Sequence, residues 1–298
     1  MKIFITGGTG LVGSHLIPLL LQKKHTVTAL SRNIEKAQSI LGNNVEFCDS
    51  LEKLTSLDEY DAIINLAGEP IAGKRWTELQ KQKLCQSRWE ITKKLTQLIK
   101  AGTNPPQVFI SGSAIGYYGN KGDITVTEDT EPHEEFTHKL CTTWEAFAME
   151  AESSKTRVCL LRTGIVLSSK GGMLAKVLPI FKLGLGGTMG NGKQYISWIH
   201  IEDMAGIISF LLTTPQINGA INMTSPTPVT NKEFSKTLAK VLKRPCIFKV
   251  PSTVISLFMG EASTLLLDGQ RAIPEKLELN KYQFRYKDIQ SALIDILQ

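Results

Sequence analysis

Lys2-Ile3-Phe4-Ile5 form an apolar run at the start of the chain, and Thr6-Gly7-Gly8-Thr9-Gly10-Leu11-Val12-Gly13 follows at once. Leu11, His15, Leu19 and Leu20 then recur at helical spacing, so the segment reads as strand, glycine turn and helix. The glycines have distinct roles in such a unit. Gly7 takes the positive φ of a tight turn, Gly10 lets backbone approach a pyrophosphate, and Gly13 lets the helix sit close to the strand. Thr9, Leu11 and Val12 bring the intervening backbone to the phosphates, and the helix N-terminus offers them free N–H groups and positive potential. Such a motif alone is weak, but directly after a strand and opening an apolar helix it predicts a dinucleotide site.

The next strand bears on the choice of dinucleotide. Thr26-Val27-Thr28-Ala29-Leu30 reads as that strand, with Ser31-Arg32-Asn33 at its end. A site for NAD usually places Asp or Glu here to bind the ribose hydroxyls. No acidic residue lies between Gly13 and Glu35. Arg32 stands in its place beside Ser31, and a guanidinium there pairs with a 2′-phosphate. The expected cofactor is therefore NADP(H); the alternative is that Arg32 is a solvated loop residue.

At 298 residues, with 42% hydrophobic and 21% charged residues, the chain has the composition of a globular α/β protein with a substantial core. The net charge of +6 comes without a basic block or aromatic–basic interleaving, so a nucleic-acid face is not expected. Cys48, Cys85, Cys141, Cys159 and Cys246 show no metal spacing and no C-x-x-C pair. An odd, scattered count suggests a reducing, cytoplasmic setting. No leader precedes the first strand and no apolar run reaches the length of a membrane span, so no membrane partner is expected. A small molecule is the expected partner; the sequence leaves both a monomer and an oligomer open.

Strands and helices alternate as a doubly wound parallel sheet of Rossmann type requires. Candidate strands are 45–47, 62–66, 108–111 and 158–163, and candidate helices are 34–41, 76–101 and 134–152. After Thr163 the pattern changes, with Gly171-Gly172, Gly184-Leu185-Gly186-Gly187 and Tyr195-Ile196-Ser197-Trp198-Ile199-His200. This suggests an NADP-binding domain over 1–165, to which 196–225 returns, and a smaller lobe over 166–298. Ligands of open α/β sheets bind outside the carboxyl ends of the strands. Asp49-Ser50, Leu66-Ala67-Gly68, Ser111 with Ser113, and Arg162 all fall there. Asp49 and Ser50 would edge the adenine, and Gly68 would let backbone approach the cofactor.

These motifs resemble those of the extended short-chain dehydrogenase/reductases, the superfamily of sugar-nucleotide epimerases and dehydratases. The resemblance rests on the glycine loop, Asn65-Leu66-Ala67-Gly68, and Phe109-Ile110-Ser111-Gly112-Ser113-Ala114 before Tyr118-Gly119. It narrows to an atypical branch known only as epimerase family proteins. That branch is marked here by Asn65-Leu66-Ala67-Gly68-Glu69-Pro70-Ile71, Gly116-Tyr117-Tyr118-Gly119, Gly184-Leu185-Gly186-Gly187 and Ser197-Trp198-Ile199-His200-Ile201-Glu202-Asp203. The segment with Gly269-Gln270-Arg271, Pro274 and Phe284-Arg285-Tyr286 resembles the branch's own C-terminal domain, of uncharacterised role. The resemblance implies fold and cofactor class; it does not imply a substrate.

One departure stands out. The superfamily pairs Ser or Thr with Tyr-x-x-x-Lys on the helix after the fifth strand, where the positive charge favours phenolate and allows proton exchange. The matching positions hold Thr137 and Cys141, and the branch generally lacks the dyad too. The chain's only Tyr-x-x-x-Lys, Tyr117 to Lys121, spans Gly119 and reads as loop: either a relay pair, or a packing tyrosine and a solvated lysine. Ser113, Tyr117 and Tyr118 are the candidate catalytic hydroxyls. Gly187, Gln194 and Trp198 are candidate substrate contacts, or alternatively core and surface. His200 reads as a structural histidine bonded to backbone, and no residue cluster has metal-ligand spacing. Two readings stay open. One is an NADP(H)-dependent oxidoreductase or epimerase acting on a small, nucleotide-sugar-like molecule. The other is a non-catalytic NADP(H)-binding sensor or scaffold.

Overall fold

A computed structural model describes residues 1–298. Seven strands form the central sheet: β1 (Lys2–Thr6), β2 (Thr26–Leu30), β3 (Glu46–Cys48), β4 (Ala62–Asn65), β5 (Val108–Ala114), β6 (Arg157–Thr163) and β7 (Gly219–Met223). All neighbours pair in parallel, in the spatial order 3-2-1-4-5-6-7. This is the doubly wound sheet the alternation predicts, and its strand order reverses between β1 and β4.

Because both faces of the sheet are covered, its strands are apolar on both sides. The period of two sorts them. Ile3, Ile5, Ala62, Ile64, Val108, Ile110, Cys159 and Leu161 join one buried cluster; Phe4, Ile63, Phe109, Val158 and Leu160 join the other. The first face is covered by α1 (Leu11–Gln22) through Leu16, Ile17 and Leu20, and the second by α3 (Glu78–Ala101) through Leu95, Leu98 and Ile99. Between them, α2 (Ile34–Leu41) follows β2 and coincides with its expected span, capped by the Asn33 side chain. The α3 helix begins at Glu78 rather than 76 because the Thr77 hydroxyl caps it by accepting from the Gln80 N–H. On the same face, α4 is Phe136–Met149. Strand β5 runs three residues beyond its expected end, since β6 pairs with it out to Ala114 opposite Thr163.

Beyond β6, Ile165–Leu167 pairs in parallel with Trp198–His200. Helices α5 (Gly172–Lys182), α6 (Ile201–Leu212) and α7 (Asn231–Val241) follow in chain order. Helix α6 supplies Met204, Ala205, Ile207, Ile208, Leu211 and Leu212 to the α1 side of the core. A third buried cluster gathers residues of α5 and α7 with Ile289, Ala292 and Leu293. The chain ends in α8 (Ser252–Met259), α9 (Thr264–Leu267), α10 (Glu275–Leu279) and α11 (Ile289–Leu297). No helix is long and apolar enough to cross a membrane.

Candidate functional site

The glycine turn has the geometry its sequence implies. Gly7 sits at φ +72°, and a Cβ there would lie 2.6 Å from the Leu66 carbonyl. A Cβ on Gly13 would lie 2.5 Å from the Gly7 oxygen and 2.7 Å from Gly8 Cα. Only hydrogen fits at either position. Gly10 occupies the N-cap of α1 without a capping side chain, and the first turn holds no acid. The N–H groups of Leu11, Val12 and Gly13 thus emerge at the helix end with no side chain to receive them. This is a cradle that suits a pyrophosphate.

Arg32, just past β2, is exposed and makes no ion pair within the chain. Ser31 donates to the Asn33 carbonyl. At the end of β3, Asp49 is paired with Lys53 at 2.5 Å, and Ser50 caps the short turn Leu51–Lys53 by accepting from the Glu52 N–H. Leu66 and Ala67 form the wall met by the missing Gly7 side chain. A Cβ on Gly68 would lie 3.1 Å from the Arg88 guanidinium, so the glycine lets that side chain lie across the loop.

A cavity of about 290 Å³ opens at the carboxyl ends of β5 and β6, the same edge of the sheet as the cradle. Its walls include Ser113 and Ala114 of β5, Gly116 just after it, and Thr137, Leu140, Cys141 and Trp144 of α4. Arg88 comes from α3, Thr163 and Gly164 from the end of β6, and Thr264, Leu265, Asp268 and Gln270 from the C-terminal segment. The residues at the usual tyrosine and lysine positions, Thr137 and Cys141, therefore do face this space. Burial pushes the Cys141 thiol up to about 12, which leaves it protonated and unreactive near neutral pH.

One more turn along the same face stands Glu145. Ser113 Oγ donates to Glu145 Oε1 at 2.6 Å. Arg162 holds the same carboxylate in a two-pronged pair, Nε to Oε1 and Nη2 to Oε2, both at 2.9 Å. Arg162 Nη1 donates to Tyr118 Oη at 3.0 Å and to the Glu128 carbonyl at 2.9 Å, and Tyr118 Oη donates to Asn222 Oδ1 at 2.7 Å. Ser113, Glu145 and Arg162 are each less than a tenth exposed, and Tyr118 is fully buried. Burial works against the Arg162 charge, yet the Glu145 bonds more than offset it and its pKa is raised. Behind Ser113 lies a fully bonded buried ion pair.

Several expected site residues are displaced by this arrangement. Arg162 turns inward: four of its five N–H groups are given to Glu145, Tyr118 and the Glu128 carbonyl. Tyr118 is not at the cavity; its hydroxyl lies inside the network and burial pushes it up to about 12. Tyr117 lies in the short turn Ile115–Tyr118 with its ring 3.5 Å from the Arg162 guanidinium carbon and against His138, where it packs and does not line the cavity. Ser111 is buried within β5 and does not sit at its end. Trp198 is fully buried in the third apolar cluster, its indole N–H given to the Thr227 carbonyl. Gly187 lies in a short strand where a Cβ would strike the Phe248 carbonyl at 2.3 Å, so its role is strand packing. Gln194 spends its amide N–H groups on the Met189 and Leu266 carbonyls. His200 is structural as read: its Nδ1 caps α6 by accepting from the Glu202 N–H at 3.1 Å. Sequence reasoning missed Glu145, Arg88, Asp268 and Gln270. The signal for Glu145 was its spacing of four and eight residues from Cys141 and Thr137.

The model of the NAD dependent epimerase/dehydratase family matches residues 3–223. The chain belongs to that family. A domain of unknown function, DUF1731, matches residues 250–296. Epimerase family protein YfhF of Bacillus subtilis is 37% identical, covering 100% of this chain and 98% of its own length. Epimerase family protein Mb2239 of Mycobacterium bovis is 39% identical over 98% of this chain and 96% of its own. Among solved structures, human epimerase family protein SDR39U1, crystallised with NADPH, superposes with a TM-score of 0.91 at 33% identity and 99% coverage of both chains. The family member is thus an extended short-chain dehydrogenase/reductase.

Proposed function

We propose that the protein is an NADP(H)-dependent oxidoreductase or epimerase acting on a small molecule, with Ser113 backed by Glu145 handling the proton. The glycine cradle fits the pyrophosphate, and Arg32, free of any partner, fits a 2′-phosphate. The NADPH in the human relative supports the same choice. When bound, the nicotinamide supplies or accepts hydride.

The chain's own residues supply the rest. Ser113 has one hydroxyl hydrogen, and Glu145 takes it at 2.6 Å. Toward the cavity the oxygen offers lone pairs, so it accepts a hydrogen bond from a substrate hydroxyl. As that hydroxyl loses its proton to Ser113 Oγ, the serine passes its own proton to Glu145 Oε1. In the opposite direction the two transfers reverse, starting from a Glu145 carboxyl that has first taken a proton from solvent water. Arg162 fixes the carboxylate in place throughout. Leu140, Trp144 and Leu265 wall the site with apolar surface and limit water. The observation that carries this reading is the Ser113–Glu145 bond in the wall of a cavity at the same edge of the sheet as the cradle.

The presence of Thr137 and Cys141 in place of the dyad favours a second reading, a non-catalytic NADP(H) sensor. Incubation with NADPH, and separately NADP⁺, across carbonyl, alcohol and nucleotide-sugar compounds separates the two. Turnover of any compound supports the enzyme. No turnover, with NADPH altering association with another protein, supports the sensor.

A further inference from the structure

Three charged side chains border the cavity: Glu135 accepts from Thr137 Oγ1 at 3.1 Å, whereas two of opposite charge face the space without meeting. Arg88 enters from α3 and Asp268 from the C-terminal segment. No carboxylate lies in salt-bridge range of the Arg88 guanidinium; the nearby Glu69 is paired with Lys74. Instead Nη1 donates to the Leu84 carbonyl at 2.9 Å and Nη2 to the Glu69 carbonyl at 2.8 Å. These bonds, with Gly68 beneath and the Trp144 ring 5.3 Å from the guanidinium carbon, hold the group in one orientation. Nη1 also donates to Ser87 Oγ at 3.4 Å, so two of the five N–H donors of the arginine remain unspent. Asp268 makes no ion pair and no side-chain hydrogen bond within the chain, and burial raises its pKa. A half-buried charge normally has a partner. Here neither of the two has a counter-ion, and both border one space.

We infer that the cavity takes a small carboxylate bearing hydroxyl or ammonium donors, its carboxylate on Arg88 and its donors on Asp268. The inference rests on the reading above that this cavity is the substrate site. Its volume lies at the lower edge of ordinary ligand pockets and must also admit the nicotinamide, which leaves room for a compact acid rather than a whole nucleotide sugar. It also assigns a task to the C-terminal domain of unknown function. Asp268, Leu265 and Gln270 make it one wall of the site, and Gln270 Nε2 ties that wall to the Gly119 carbonyl at 2.8 Å.

Calorimetric titration of NADPH-saturated protein with two- to six-carbon acids, glycerate and gluconate among them, and with the matched polyols glycerol and glucitol, tests this. At least one acid is expected to bind about ten- to a hundredfold more tightly than its polyol, the contribution of a charge-assisted pair. Arg88→Gln should erase that preference and Arg88→Lys restore part of it. Asp268→Asn should weaken glycerate but leave propionate, which lacks a donor, unchanged. The wild-type comparison needs no variant, so a folding defect in Arg88→Gln cannot hide the answer. Polyols binding as tightly as acids, or no acid binding at all, overturns the inference. So does an Arg88→Gln protein that loses NADPH affinity while keeping its acids, since the guanidinium then serves a cofactor phosphate. Acids bound without turnover of any compound would sustain this inference and sink the oxidoreductase reading; turnover of neutral compounds alone would do the reverse.

Discussion

Replacing Glu145 by Gln keeps the shape of the side chain and removes its charge. Glu145 Oε1 accepts from both Ser113 Oγ and Arg162 Nε, and Oε2 accepts from Arg162 Nη2. An amide has one acceptor oxygen, so whichever way it is turned its NH₂ faces an arginine N–H. Arg162, 5% exposed, is left with a buried positive charge and no counter-ion. Removing one partner of such a pair costs about 3–5 kcal/mol. Arg162 retains Tyr118 Oη and the Glu128 carbonyl as acceptors, which places the loss near the lower end. In a chain of 298 residues about 3 kcal/mol corresponds to a Tm drop of roughly 5 °C. The double substitution Glu145→Leu with Arg162→Met removes both charges together and should recover most of that loss. Circular-dichroism melts of wild type, Glu145→Gln, Glu145→Leu alone, Arg162→Met alone and the double variant read the coupling directly. A Glu145→Gln protein that melts within about 1 °C of wild type, or a double variant that loses the sum of the singles, would refute the buried-pair argument.

The remaining predictions concern cofactor choice and pH. If Arg32 grips the 2′-phosphate, NADPH should bind about ten- to a hundredfold more tightly than NADH, and Arg32→Ala should remove most of the difference in a calorimetric titration. Equal affinities in wild type would exclude the assignment. His200 accepts a cap bond at Nδ1 and is 1% exposed, and burial lowers its pKa from 6.5. The unfolded chain therefore takes a proton that the folded one resists. This stability is fully present above about 6.5 and is lost as pH falls from there toward the lower folded value. Melts over that range should show a steeper loss for wild type than for His200→Asn, which can still cap; parallel curves would assign the pH dependence to other groups.

Much of the dinucleotide half was legible in the chain because its signals are local. The apolar run into Gly7, Gly10 and Gly13 sets strand, turn and helix within about a dozen residues, and steric limits at Gly7 and Gly13 leave no other residue possible. The apolar runs of β4, β5 and β6 are near-continuous because parallel strands are buried on both faces. The cavity edge was harder to read. Arg162 ends its strand like a ligand-facing residue, but its partner Glu145 lies 17 residues earlier on another element, and nothing local announces that pairing. Tyr118 and Trp198 carry polar atoms that suit a pocket, yet each spends its atom on a single distant acceptor, Asn222 and the Thr227 carbonyl respectively. Asp268 reaches the cavity only because the C-terminal segment folds back beside Ser197, whose Oγ donates to the Gln270 carbonyl at 2.6 Å and accepts from the Ala272 N–H at 2.9 Å. Such contacts depend on the closed tertiary structure and have no period or spacing in sequence.

The central claim is that Ser113, relaying to Glu145, moves the proton in a site whose helix α4 carries no tyrosine–lysine pair. Single-turnover oxidation of bound NADPH by the best carbonyl compound of the panel tests it, comparing wild type, Ser113→Ala and Thr137→Val. Proton-transfer help of this kind is worth roughly 10²–10⁴ in rate. The account predicts that Ser113→Ala loses a factor in that range while its NADPH affinity stays within about twofold, and that Thr137→Val keeps most of the wild-type rate. A Ser113→Ala protein that turns over at the wild-type rate, or a Thr137→Val protein that loses as much as Ser113→Ala, would contradict it.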